Sequence, residues 1–110
     1  MRPEDLSRLF VERANDGDVD GLVALYEPDA VLAFPPGQTS VGIRAIRQAY
    51  EGLVAERPTF TAGEQLPTLR VGNLALTSTR LVDGGVTVEA ARRQPDGTWL
   101  WVIDQPNVLP

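Results

Sequence analysis

The feature that most restricts what this chain can fold into is a change of texture near its middle. Up to about residue 56 apolar residues recur at helical spacing. Beyond Thr59 they fall into β runs separated by tight turns. Asp83-Gly84-Gly85 and Pro95-Asp96-Gly97 each supply the backbone freedom a hairpin needs, and they divide the second half into strands expected over Leu69–Val82, Val86–Gln94 and Thr98–Asp104. The first half predicts three helices. The first covers Pro3–Asn15, with Leu6, Leu9, Phe10, Arg13 and Ala14 on one face and Gly17 as its stop. Asp18 caps a second, short helix whose apolar side is Leu22, Val23 and Leu25–Tyr26, closed by Pro28. A brief strand is expected over Ala30–Phe34, before Pro35-Pro36-Gly37. The third helix begins after Gly42 and runs from Ile43 to about Glu56, presenting Ile43, Ile46, Ala49–Tyr50, Leu53 and Val54, with Pro58 beyond it. Helices first and a strand meander afterwards predict an α+β domain, with helices laid over a curved antiparallel sheet around one small apolar pocket.

Length and composition narrow the function classes. The 110 residues make a single domain, 1–110, and 43% apolar against 23% charged residues suits a packed core. With no cysteine there is no disulfide framework and no thiolate metal site, and with no histidine the commonest general base and metal ligand are missing. A metal or organic cofactor is therefore not expected. The net charge of −5 and the scattering of ten arginines argue against nucleic acid as a partner. No apolar run reaches membrane-spanning length and no leader-like opening is present, so a cytoplasmic location without membrane attachment is the expectation. No glycine-rich phosphate loop follows a strand. Asp16, Asp18 and Asp20 alternate as in a calcium loop, but lack its glycine and distal glutamate and read as helix caps.

The segments Gly17-Asp18-Val19-Asp20-Gly21-Leu22-Val23-Ala24-Leu25-Tyr26, Asp29-Ala30-Val31, and Gly42 leading to Ala45-Ile46-Arg47-Gln48-Ala49-Tyr50 resemble the front half of the nuclear-transport-factor-2-like superfamily, the SnoaL-like and ketosteroid-isomerase-like group. The strand-rich back half, with Trp99 to Asp104, fits as well. The resemblance implies a cone-shaped curved sheet wrapped around the N-terminal helices. It is weak for function, because the fold carries isomerases, cyclases, hydrolases and non-catalytic binders. In ketosteroid isomerases a first-helix tyrosine donates to the substrate oxyanion, and that position corresponds to Phe10 here. The proton-shuttling aspartate corresponds to Phe34, the protonated aspartate on a late strand to Glu89, and a supporting tyrosine to Tyr50. Two of the three catalytic positions are apolar, so steroid isomerisation by that route is not implied.

Alternation gives an independent view of the pocket. A three-residue turn at Asp83–Gly85 pairs Thr79 with Glu89, and the second turn pairs Ala91 with Trp101 and Glu89 with Ile103. Thr77, Thr79, Glu89, Ala91, Trp99, Trp101 and Ile103 then share one face, and Leu76, Ser78, Arg80, Val88, Ala90, Leu100, Val102 and Asp104 the other. If the first face meets the helices, Glu89 sits among Phe10, Phe34, Tyr50 and Trp101, where lost hydration raises its pKa and suits it to acid–base work. The alternative pairs Glu89 with an arginine or leaves it in water at the mouth. Asp104 is the second candidate acid, against a solvent-facing strand end with Arg80 beside it. Tyr26 and Leu53 complete the candidate ligand contacts, although a buried tyrosine needs only a backbone partner. Pro35-Pro36-Gly37-Gln38 is a flap or simply a connection. The second face, with Leu76, Val88, Ala90, Leu100 and Val102, is too apolar to leave uncovered and predicts a homodimer through the outer sheet. Two functions follow. One is a cofactor-free isomerase, cyclase or hydrolase acting on a hydrophobic carbonyl compound through Glu89 or Asp104; the other is a ligand-binding or dimeric accessory protein without chemistry.

Overall fold

The computed structural model describes residues 1–108 of the chain. Helix α1 spans Asp5–Asn15 and buries Leu6 and Ala14, with Asp5 at its positive end and Arg13 in its last turn. The Arg13 guanidinium donates to the Gly21 carbonyl at 2.7 Å and ties α1 to α2, Val19–Val23. Asp18 caps α2 as expected, accepting from the Gly21 N–H at 2.9 Å. The helix ends at Val23, earlier than the apolar pattern implies. Leu25 and Tyr26 leave it, and Tyr26 opens strand β1, Tyr26–Leu32. Pro28 sits inside that strand instead of closing a helix. It falls where the pairing of β1 with β7 is interrupted between Tyr26 and Val31, so its missing N–H leaves no gap in the ladder.

Strand β2 is the pair Ser40–Val41, followed by Gly42 at φ 85°, a conformation open to glycine, and then helix α3, Ile43–Ala55. Ile46, Ala49 and Tyr50 form its buried side. The expected long strand from Leu69 to Val82 is two strands. Gly72 and Asn73 form a hairpin turn between β4, Leu69–Val71, and β5, Leu74–Arg80, with Val71 paired to Leu74. A short β3, Glu64–Gln65, pairs with the far end of β5, and β6, Val86–Arg93, and β7, Trp99–Gln105, complete the sheet.

The strand order is β2-β1-β7-β6-β5-β3, with β4 also on β5. The sheet is mostly antiparallel, but β1 runs parallel to β7, which the strand-meander reading does not anticipate. Register differs from expectation in two places. The loop after β5 is five residues, closed by the Leu81 N–H on the Gly85 carbonyl at 2.7 Å, so Thr77 faces Glu89 and Thr79 faces Thr87. A two-residue shift keeps every side chain on its face. The second difference is a bulge in β7. Ala91 pairs with Trp101 as expected, but Ala90 pairs with Ile103 and Glu89 with Asp104, leaving Val102 as the extra residue. One extra residue reverses the alternation beyond it. Ile103 turns outward at 53% exposure and Asp104 turns inward at 5%, the opposite of the expected faces.

The inner face and the helices share one core built on Leu6, Leu22, Leu25, Leu32, Ile46, Trp99 and Trp101. The outer face carries an in-register apolar row, Leu69–Leu76–Ala90–Ile103, across four strands. Leu69, Leu76 and Ile103 are 63%, 44% and 53% exposed. Among the described residues no helix is long and apolar enough to cross a membrane.

Candidate active site

Between the helices and the inner sheet face lies a chamber of about 530 Å³. Phe10 from α1, Tyr50 and Leu53 from α3, Phe34 and Trp101 all stand on its wall. Phe10 is the hub, with ring centroids 6.0 Å from Tyr50, 6.2 Å from Trp101 and 5.5 Å from Phe60. Phe34 stacks on Tyr50 at 6.3 Å. These contacts are those of a core, but here they surround a space.

Phe60 is the wall residue that sequence reasoning misses. It lies in a stretch without periodicity, and its place is fixed by Asn15 at the end of α1. The Asn15 amide donates to the Phe60 carbonyl at 3.0 Å and its oxygen accepts the Phe60 N–H at 2.7 Å. Nothing in the sequence spacing announces that clasp across 45 positions. The Pro35–Gln38 stretch is a connection: it closes on itself through the Gln38 N–H to the Pro35 carbonyl at 2.9 Å and does not line the chamber. Trp99 is core, covered by the Arg70 guanidinium 4.9 Å from its ring.

Two buried carboxyl groups reach this apolar space, with Glu4 and Asp5 lining it farther out. Glu89 is 3% exposed and has no arginine partner, so neither the paired nor the mouth-facing alternative holds. Its Oε1 accepts from the Thr77 hydroxyl at 2.8 Å. Burial raises its pKa, while the Thr87 and Thr77 hydroxyls pull it back by favouring the charged form. Asp104 stands directly opposite on β7 and also lines the chamber. The expectation of a solvent-facing strand end beside Arg80 is overturned, because the bulge carries Asp104 inward and Arg80 pairs with Glu64 at 3.6 Å. Burial first, and the Glu89 charge second, push the Asp104 pKa up to about 7, against the downward pull of a hydrogen bond from Tyr26.

Tyr26 is not on the wall. It sits behind Asp104, 3% exposed, and donates to Asp104 Oδ2, while its own oxygen meets the Tyr50 hydroxyl at 2.5 Å. Burial and the nearby Asp104 charge raise both phenols well above their ordinary range, so both are neutral. The Trp101 indole N–H is buried without a hydrogen-bond partner among the described residues, and its ring packs edge-on to Tyr26 at 5.2 Å. The chamber thus combines an aromatic wall, a carboxyl whose pKa burial raises and two threonine hydroxyls partly pull back, and a second carboxyl whose pKa burial lifts to about 7. That pairing suits transfer of a proton at one atom of a bound molecule while another atom is hydrogen-bonded.

A family model described as SnoaL-like domain matches residues 7–105. No curated protein matches. Among solved structures, the chain is similar to a ketosteroid isomerase-like protein from Erwinia carotovora atroseptica, at 19% identity and TM-score 0.77 over 98% of this chain and 95% of that one. It is also similar to an NTF2-like protein of unknown function from Pseudomonas putida, at 21% identity and TM-score 0.68 over 92% and 80% of the two chains. A third, an NTF-2 like protein of unknown function from Shewanella oneidensis, aligns at 19% identity and TM-score 0.72 over 92% of each. These identities speak to the fold alone. The family match covers nearly the whole chain, and the chain belongs to the SnoaL-like domain family.

Proposed function

Within the SnoaL-like family, we propose that this chain is a cofactor-free acid–base enzyme, an isomerase or cyclase acting on one small hydrophobic carbonyl compound held in the chamber. The observation that carries the reading is the direct opposition of Glu89 and Asp104 across β6 and β7 inside an aromatic enclosure, where burial raises the proton affinity of both and two threonine hydroxyls offset it at Glu89. Glu89 is the base. It accepts a proton from the carbon next to the carbonyl, and the Thr77 and Thr87 hydroxyls favour its charged form beforehand. Asp104 is the acid, the source of the proton that stabilises the carbonyl oxygen as the C–H bond breaks and the enol forms. Return of the proton from Glu89 to a different carbon, with the enol O–H proton going back to Asp104, completes an isomerisation with no atom gained or lost. The aromatic wall excludes water, which strengthens both hydrogen bonds.

The experiment is proton exchange in heavy water. With 2-tetralone as an enolisable probe, the wild-type chain should exchange the α-protons faster than buffer, and Glu89→Gln should lower the protein-dependent rate by roughly 10²–10⁴-fold. Exchange at the buffer rate with wild type would contradict the catalytic reading. Phe10 and Phe34, apolar where ketosteroid isomerases place polar catalytic groups, favour a second reading, a chamber that binds its ligand without chemistry. A ligand that survives purification in native mass spectrometry, together with no exchange, would establish that reading instead. In either case the outer apolar row supports a homodimer through the sheet face.

A further inference from the structure

Tyr50 and Asp104 both touch the chamber, while Tyr26 joins them from behind. The chain of contacts is Asp104 Oδ2, Tyr26 Oη, Tyr50 Oη, and each phenol has one proton to give. With Asp104 charged, Tyr26 must point its proton at the carboxylate. The only proton left for the contact between the two phenols is that of Tyr50, so Tyr50 shows the chamber lone pairs alone. With a proton added on Asp104 Oδ2 the order reverses: Asp104 donates to Tyr26, Tyr26 to Tyr50, and the Tyr50 O–H turns to the ligand. Among the described residues the side-chain hydrogen bond of Asp104 is the one from Tyr26 to Oδ2, so the relay is the one hydrogen-bonded route to its carboxyl.

We propose that Asp104, Tyr26 and Tyr50 form a reversible hydrogen-bond relay whose ligand-facing end is Tyr50, donating to a ligand carbonyl oxygen when Asp104 holds a proton and accepting from a ligand hydroxyl when it does not. The proposal rests on the reading of the chamber as a ligand site and narrows its ligand class. The relay suits an oxygen that is a carbonyl in one state and an enol hydroxyl in the next, and it disfavours an ether, which can never donate. When a ketone becomes an enol, its α C–H proton passes to Glu89, one O–H bond forms at the ligand and the Tyr50 O–H breaks. Tyr50 recovers its proton from Tyr26, Tyr26 from Asp104, and Asp104 is left as the carboxylate. The groups that bear on Asp104 are Glu89 from β6, Tyr26 from β1 and Tyr50 from α3, with Arg2, Glu4, Asp5 and Arg8 at and before the start of α1 lining the same chamber farther out.

The test is calorimetric binding of 1-tetralone, a ketone, and 1-naphthol, a stable enol mimic, between pH 5.5 and 8.5. The naphthol-to-tetralone affinity ratio of the wild type should rise by about tenfold across that range, the effect of gaining or losing one buried hydrogen bond. Tyr26→Phe cuts the relay, and the ratio should then be independent of pH. Asp104→Asn removes the titrating proton at the far end, and the ratio should again be independent of pH. A ratio that is flat in the wild type, or a pH dependence that survives Tyr26→Phe or Asp104→Asn, would overturn the relay, as would binding of neither probe. Because the readout is binding, the relay stands if α-proton exchange fails, and the acid–base reading stands if the ratio proves flat.

Discussion

Glu89 and Asp104 face one another across β6 and β7 because a single extra residue, Val102, turns the end of β7 inward. Without that bulge Asp104 would point to the outer face and Ile103 into the chamber. The pairing buries two acids with no ion-pair partner among the described residues, and folding therefore favours their protonated forms.

A stability prediction follows for Asp104. Its folded pKa, about 7, lies above the unfolded value near 3.9, so the folded state binds the proton more tightly. Below the unfolded value both states are protonated and the group is neutral towards folding. As pH rises towards 7 the unfolded chain releases the proton first, and stability is lost. Asp104→Asn, which keeps an oxygen for the Tyr26 hydroxyl, should match wild type near pH 4 and exceed it by up to roughly 4 kcal/mol above pH 7. Urea melts at the two pH values measure this, and an equal difference at both would contradict it.

Thr77 makes a second prediction. Its hydroxyl is the 2.8 Å donor to Glu89, and Thr77→Val keeps the shape while removing that donor. The charged form of Glu89 should lose about 1–3 kcal/mol of stabilisation. The variant's Glu89 carboxyl should titrate higher, and any proton-exchange rate should need a higher pH. An unmoved titration would show that the hydroxyl does not hold the carboxylate.

How much of this was legible in the residues can be judged element by element. Helices α1 and α3 are strongly periodic, and their limits lie within two residues of the spacing-based expectation. The Asp18 cap and both glycine turns carry local chemistry that the sequence displays. The Gly72-Asn73 hairpin was legible too, yet it is overshadowed by the continuous apolar run around it. The bulge was not legible. Val102 differs in nothing local from its neighbours, and the irregularity shows only in the pairing, where the ladders of β7 with β6 and with β1 both shift register. Glu89 therefore falls on its expected face, while Asp104 does not. Phe60 is invisible for a similar reason, since a side chain 45 positions away fixes it.

That clasp yields a third prediction. Asn15→Ala removes both hydrogen bonds to the Phe60 backbone, at 2.7 and 3.0 Å, from a segment with little else to order it. The expected loss is roughly 1–2 kcal/mol of stability, with weaker binding of an apolar probe because Phe60 no longer closes the wall. Hydrogen exchange should localise the change to residues near Phe60. Unchanged protection there would mean that the Phe10 contact alone seats the ring.

The outer row gives a fourth. Leu76 pairs with Leu69 and Ala90, and Ile103 extends the row, all exposed in the single chain except the half-buried Ala90. Wild type should sediment as a dimer at micromolar concentration, and Leu76→Glu should sediment as a folded monomer, because a charge would have to be buried. A monomeric wild type would remove the dimer from the account.

The most direct test of the buried acid pair is carbon-13 NMR titration of the aspartate and glutamate side-chain carboxyl groups, with Asp104→Asn and Glu89→Gln as assignments. The account predicts one aspartate signal titrating near pH 7, displaced downward when Glu89 is replaced, and one glutamate signal above the ordinary carboxylate range. If both groups instead titrate near pH 4 and neither responds to the other's replacement, the two carboxyls do not share a water-poor chamber, and the proposed chemistry loses its acid.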